Sequence, residues 1–260
     1  DFDDCSDPRS ETFMKPKQRA AEPVVLLAAE HSTLSDQVFS RLRTAIMSGQ
    51  FAPGEKLTIR GLAGQLNTSP TPIREALRRL SAEGALEIAP NRFIRVPIMN
   101  PVELRELRDI RTALEGIATE RAALDITSAE FEELVAIDND IRELRKTGLV
   151  KERIHLIRRF HFTIYQASRM PALYRMIQGL WLRSAPYSNL LFPAYSEMER
   201  GNLRSMTMAA LKRHDGPSAR RCMEADINGA LDFIIDEIAS HRPARRPGQA
   251  RQRKPEARAD

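Results

Sequence analysis

The sequence predicts a mainly α-helical fold in two parts: a compact N-terminal unit of short helices closed by a small β-hairpin, and a C-terminal antiparallel helical bundle. Three observations predict it. Leu, Ala, Arg and Glu dominate while aromatic residues make up 6% of the chain, a composition that favours helix over strand. At 260 residues the chain exceeds the usual size of one domain. The punctuation also changes along it. Short apolar-periodic segments broken by Gly, Pro and Asn run to residue 99, and long amphipathic segments with few turns follow. The seam falls at Asn100-Pro101, because a residue before proline is pushed out of the helical region whereas proline suits a helix's first turn.

The first helix is expected from Leu34 to Ser48, where Leu34, Val38, Leu42, Ala45 and Ile46 recur at helical spacing and Gly49 stops the run. Phe51-Ala52-Pro53-Gly54 reads as a turn. A second, short helix from Thr58 to Leu66 points Leu62 and Leu66 inward. After the tight turn Asn67-Thr68, Ser69 is placed to cap a third helix that runs to Glu83 with Ile73, Leu77 and Leu80 as its buried stripe. Pro72 is tolerated there because first-turn amides have no intrahelical partner. Ala85–Ile88 and Ile94–Val96 flank Pro90-Asn91-Arg92 and read as a hairpin with a cation at its tip. In the second part, helices are expected over 101–124, with Leu104, Leu107, Ile110, Leu114 and Ile117 inward, over 128–146 and 150–167, from Pro171 through Trp181, and over 194–214 and 217–239. Short connections between long helices make neighbours antiparallel and leave room for a ligand cavity between them.

Charge is unevenly spread. Residues 34–99 hold nine basic and five acidic side chains, so the compact basic surplus sits where a polyanion would bind. Residues 1–33 hold four basic and seven acidic ones and read as an unstructured leader. Asp1 in place of Met, with Met14 close by, suggests that part of it precedes a native start. Residues 241–260 read as an unstructured basic tail, with seven Lys/Arg against two Asp/Glu. Cys5 and Cys222 lie far apart, in keeping with a reducing compartment. No segment approaches the roughly 20 apolar residues of a membrane span, which leads to an expected cytoplasmic address.

Two short helices joined by a tight turn form a helix-turn-helix, whose second helix enters the DNA major groove. The small polar front of the third helix, Ser69 and Thr71, lets its backbone and dipole approach phosphate. Arg74, one turn on and off the apolar stripe, can reach a phosphate or a guanine edge. Arg60 on the second helix can pin the neighbouring strand. The alternative reading is a winged helix used only for assembly. A resemblance bears on the choice. Pro53-Gly54-Glu55-Lys56-Leu57, and Ser69 through Leu80 followed by Glu83-Gly84, resemble the winged-helix domain of the GntR family of bacterial regulators. That resemblance implies operator contacts at Arg60, Ser69, Thr71 and Arg74, with the wing at Asn91 and Arg92. Pro70 stands where many relatives carry a polar contact, and Phe93 where they carry a wing-tip glycine.

The second part resembles the FCD ligand-binding domain of the FadR subfamily, through Leu107–Glu115, Arg159-Phe160-His161, Tyr165–Ser168 and Ala210–Asp215 with Met223. Many such domains bind a divalent metal such as zinc with one Asp and three His. The corresponding positions are Ile157, His161, Arg204 and Asp226. Ile157 cannot ligate and an arginine repels a metal, so no metal or other cofactor is expected. Instead Arg204, with Arg111 and His161, is expected to take an anionic effector by charge-assisted hydrogen bonds, with Asp226 balancing Arg204 in the empty pocket. The family likeness further implies a homodimer on a near-palindromic operator, most often as a repressor. Enzyme classes find no support: Glu152 and His155 form one Glu-x-x-His pair where a di-iron bundle needs two. The chain also lacks a phosphate-binding glycine loop, a nucleophile elbow and a zinc-spaced Cys/His cluster.

Overall fold

The computed structural model describes residues 33–88, 93–191 and 197–240, with side chains from 202 onward in the last stretch. Most of the expected leader, the basic tail and the wing tip with Asn91 and Arg92 lie outside the described residues. From Thr33 the chain forms one contact unit. Helix α1 spans Leu34–Met47, opened by a reciprocal cap between Thr33 and Asp36. Strand β1 (Lys56–Leu57), unforeseen in the sequence, precedes α2 (Ile59–Gln65) and α3 (Pro70–Ala82). Strands β2 (Glu87–Ile88) and β3 (Ile94–Arg95) make the expected hairpin, and β3 is central in a three-stranded antiparallel sheet ordered β1-β3-β2. Val38, Leu42, Ile46, Ile73, Leu77, Leu80, Leu86 and Val96 close the core of this unit.

Six α-helices follow among the described residues: α4 (Pro101–Asp125), α5 (Ser128–Thr147), α6 (Val150–Ala167), α7 (Pro171–Ser184), α8 (Glu197–Lys212) and α9 (Gly216–Ser240). Their starts follow local chemistry. Asn100 and Glu103 cap α4 reciprocally, and Thr127 and Glu130 do the same for α5. Gly148 ends α5 at φ +73°, a left-handed conformation that costs a β-carbon-bearing residue energy. Connections of two or three residues between helices this long force the chain back on itself, so α5–α6 and α8–α9 are antiparallel pairs. A seven-residue 3₁₀ segment, Ala185–Leu191, follows α7 directly and was not expected.

The inward face of α4 agrees with the sequence expectation at Leu104 and Leu107 and departs from it at Ile110 and Ile117. Leu104, Leu107, Arg111, Glu115, Ala118, Thr119 and Ala122 are buried, whereas Ile110 and Ile117 are 39% and 40% exposed and Leu114 is half-buried. At 3.6 residues per turn, the Ile110–Ile117–Leu124 row lies about 130° round the helix from the buried face. Hydrophobic periodicity selected the apolar row. The helix instead turns inward the face that carries a buried ion pair.

Candidate functional site

Among the described residues two places are suited to a ligand. The first is the front of α3. Ile73, Ala76, Leu77 and Leu80 are buried, and the opposite face leaves Ser69, Thr71, Arg74 and Arg78 exposed, with Arg60 exposed on α2. Ser69 is the N-cap, but its hydroxyl makes no cap bond. One of the two amides such a cap serves is missing, because proline 72 at N3 has no N–H. Pro70 likewise removes a donor at N1. The open donors at this helix start are therefore the Ser69 and Thr71 amides and both hydroxyls, on the positive end of the helix dipole.

The cations around that edge divide into two sets. Arg79 is tied to Asp36 at 2.7 Å and lies 4.0 Å from the Phe39 ring centroid, Arg43 pairs with Glu83 at 3.5 Å, and Arg95 pairs with Glu87. Among the described residues, Arg60, Arg74 and Arg78 have no carboxylate within 4 Å. The carboxylate beside Arg74 is already engaged, since Glu75 accepts a 2.5 Å hydrogen bond from Ser35. Phe93 is half-buried with Lys56 Nζ 4.7 Å from its ring centroid, so the residue in place of a wing glycine packs against the sheet.

The second place is a cavity of about 50 Å³ inside the bundle. Ile154, Ile157, Ile227, Leu231 and Ile234 give it an apolar wall, and Arg111, His161, Ser184, Ser188 and Asp226 a polar end, with Trp181 between. Glu115, fully buried behind Arg111, organises that end. Its carboxylate accepts from Arg111 Nε at 2.6 Å and Nη2 at 3.2 Å, from Trp181 Nε1 at 3.0 Å and from the Tyr165 hydroxyl. Arg111 Nη1 donates to Ser184 Oγ at 3.0 Å, and the guanidinium lies 4.4 Å from the Trp181 ring centroid. Burial alone would lower the Arg111 pKa, but the charge and hydrogen bonds of Glu115 outweigh it and raise it. Burial and the neighbouring Glu115 charge push the Tyr165 phenol well above its ordinary value, so it stays a donor. With its one proton given to Glu115, the Tyr165 oxygen accepts from His161 Nδ1 at 2.9 Å. His161 Nε2 faces Asp226 Oδ2 at 3.3 Å.

The structure thus brings Arg111, His161 and Asp226 to one cavity. Arg204 is elsewhere: its Nε bonds Asp138 Oδ1 at 3.1 Å, and it is not among the lining residues. The expected Arg204–Asp226 balance is replaced by Arg204–Asp138 on one side and His161–Asp226 on the other, because α5 supplies the nearer carboxylate. Ile157 puts hydrocarbon into the wall, and among the described residues no group of three His, Cys, Asp or Glu side chains could hold an ion. Glu115, Tyr165, Trp181 and Ser184 were not singled out from sequence. The legible signal was the Arg111/Glu115 spacing of four, which makes a helical ion pair, on a helix where such a pair reads as surface until packing is known.

Comparison with known proteins bears on both places. Residues 34–96 match the family model described as "Bacterial regulatory proteins, gntR family", and residues 106–229 match the FCD domain. The HTH-type transcriptional regulator McbR of Escherichia coli is 34% identical over 197 residues, covering 75% of this chain and 89% of McbR. The solved structure of E. coli McbR/YncC superposes with a TM-score of 0.73 at 30% identity, over 80% of this chain and 99% of that one. A GntR regulator structure from Rhodococcus sp. RHA1 shares the fold, with a TM-score of 0.63 at 19% identity, over 78% of this chain and 97% of that one. A probable D-xylose utilization operon transcriptional repressor of Paenarthrobacter nicotinovorans is 31% identical over 149 residues, 57% of this chain and 66% of that protein.

Proposed function

The chain belongs to the gntR family of bacterial regulatory proteins, with a DNA-binding helix-turn-helix and an FCD effector domain, and from that premise we propose that it is a dimeric repressor released or engaged by a small carboxylate-bearing metabolite. Its relatives are transcription regulators and not enzymes. Among the described residues no helix is long and apolar enough to cross a membrane. We place its action in the cytoplasm, where its DNA partner is.

One observation carries the DNA reading: the front of α3 presents Ser69, Thr71 and Arg74 outward, with Arg60 beside them, and leaves the arginines without carboxylate partners. Cations kept free at a helix start are suited to phosphate and base edges. For dimer formation, the exposed Ile110–Ile117–Leu124 row on α4 offers an apolar seam that a second copy would cover. Two recognition helices related by such a dimer ask for a near-palindromic operator. For the effector, Arg111 spends three of its five N–H groups on Glu115 and Ser184 and keeps two. Those two, with His161 and Ser188, suit a carboxylate whose short apolar body meets Ile154, Ile157 and Leu231. Arg204, held by Asp138, has no part in this version. The chemistry needs no metal or other cofactor. Repression is the mode given in the name of the D-xylose relative.

The test is selection of duplexes from a random pool at physiological salt, followed by band-shift titration of Arg60→Ala and Arg74→Ala. Arg74→Ala should weaken binding on the order of 5- to 150-fold if it reads a base, matching about 1–3 kcal/mol. Arg60→Ala should weaken all sequences alike and flatten the salt dependence. No selected sequence, or unchanged affinity in both variants, overturns the reading.

A further inference from the structure

Resting on the reading of the bundle cavity as the effector site, we propose that the 3₁₀ segment Ala185–Leu191 is the relay between that cavity and the winged helix. Tyr187 and Asn189 are its positioning residues. With three residues per turn, positions i and i+3 of a 3₁₀ helix eclipse. Ala185, Ser188 and Leu191 therefore share one row; Ser188 and Leu191 line the cavity and Ala185 is buried. Tyr187 and Asn189 occupy the other two rows, and both reach the N-terminal unit. Asn189 Nδ2 donates to the Gly49 carbonyl at 2.6 Å. The Tyr187 hydroxyl accepts from the Met99 amide at 2.6 Å and donates to the Pro97 carbonyl at 3.2 Å. One short segment therefore touches the cavity, the end of α1, and the connection that leads from β3 into α4.

Each end of the relay is held tightly. Ser184, the residue before the segment, accepts from Arg111 at the polar end of the cavity. On the far side Gly49 has φ +66°, and a β-carbon there would lie 3.3 Å from Asn189 Nδ2 and 3.4 Å from the Ala185 carbonyl. The glycine lets the two segments approach closely enough for the 2.6 Å Asn189–Gly49 hydrogen bond, which ties the segment to the end of α1. From α1 the path continues to α3 through Ser35–Glu75 and through Arg79, which bonds Asp36 and covers Phe39. Seven residues is long for a 3₁₀ run, whose hydrogen bonds are poorer than those of an α-helix, so a shift of pitch costs this segment less than its α-helical neighbours. An occupant pressing on Ser188 and Leu191 would rotate the row and carry Tyr187 and Asn189 with it.

Linkage supplies a test that needs no effector: if the cavity acts on the winged helix, DNA at the winged helix must act on the cavity to the same extent. Trp181 is the one tryptophan of the chain and lines the cavity, so its emission reports there. A duplex chosen by random-pool selection is titrated into the full chain, with anisotropy of the labelled duplex followed in parallel with Trp181 emission. The wild type should show an emission change with the same midpoint as anisotropy. Tyr187→Phe/Asn189→Ala should bind the duplex but lose at least half of that emission change. In a second arm Ala230→Leu, at a position on α9 that lines the cavity, fills it as a permanent occupant. It should shift duplex affinity by about fivefold in the wild-type background, the lower end of usual allosteric couplings, and by under half of that on a logarithmic scale in the double variant. Asn189→Ala alone, which removes a single hydrogen bond, replaces the double variant if that one melts early. Emission silent in a wild type that binds DNA, or unchanged by the double variant, overturns the relay and leaves the regulator reading standing. Absence of any duplex binding removes the reading and the relay with it.

Discussion

Replacing Glu115 by Ala tests the claim that one buried carboxylate organises the bundle cavity. The side chain is fully buried, and its four donors come from Arg111, Trp181 and Tyr165. Arg111 is itself 7% exposed, so without Glu115 its charge stays buried with no directly bonded carboxylate. Removing one partner of a buried ion pair costs about 3–5 kcal/mol. Stripping the Tyr165 and Trp181 donors would add about 1–3 kcal/mol each if they stayed dry. Water entering the vacated volume offsets much of that addition, so a loss of about 4 kcal/mol is expected. For a chain of this size it corresponds to a fall in Tm of roughly 8–16 °C. Urea titration followed by circular dichroism, with thermal melts alongside, measures it. Arg111→Met/Glu115→Leu is the companion, because replacing both charges by apolar groups of similar volume is often neutral or stabilising. It should recover most of the loss. A Glu115→Ala cost under about 1 kcal/mol, below the range for any buried pair, would refute the reasoning. So would a double variant no more stable than the single one.

Three further outcomes follow from the geometry. Burial, then the charges of Arg158 and Arg159, hold His155 below the ordinary histidine value. The unfolded chain then binds the extra proton between that lowered value and 6.5, so stability falls as pH drops through 6.5. His155→Gln should narrow the gap between urea midpoints at pH 7.5 and 5.5, and an unchanged gap speaks against this account. Gly49→Ala should cost more than Gly148→Ala: both pay about 1–2 kcal/mol for a left-handed backbone, but only Gly49 also meets Asn189 and Ala185. Equal urea midpoints for the two variants would contradict the tight junction. Finally, zinc should leave Tm unchanged, since Ile157 supplies no ligand and Arg204 is held by Asp138. A rise of several degrees, as binding at 100 times Kd would give through about 2.7 kcal/mol, would overturn the metal-free cavity.

Local chemistry made much of this protein legible before any coordinates. The expected helix limits 128–146 and 150–167, and the start at Pro171, are reproduced within a residue or so, because capping and left-handed turns depend on neighbours in the chain. The outward front of α3 was legible for the same reason: Ile73, Leu77 and Leu80 define one face, and Ser69, Thr71 and Arg74 fall on the other. What could not be read was set by distant partners. Ile110 and Ile117 looked inward because periodicity reports an apolar row, not which row a neighbouring helix covers. Arg204 looked like part of the cavity until α5 brought Asp138 to it. The Arg111–Glu115–Tyr165–Trp181 cluster draws on α4, α6 and α7, and the 3₁₀ segment owes its role to contacts about 90 and 140 residues away in sequence. Sequence determines what each stretch of chain will do by itself. Which charges meet, and which face is buried, is decided only when separate helices pack, because burial energy and Coulomb attraction act through space and not along the chain.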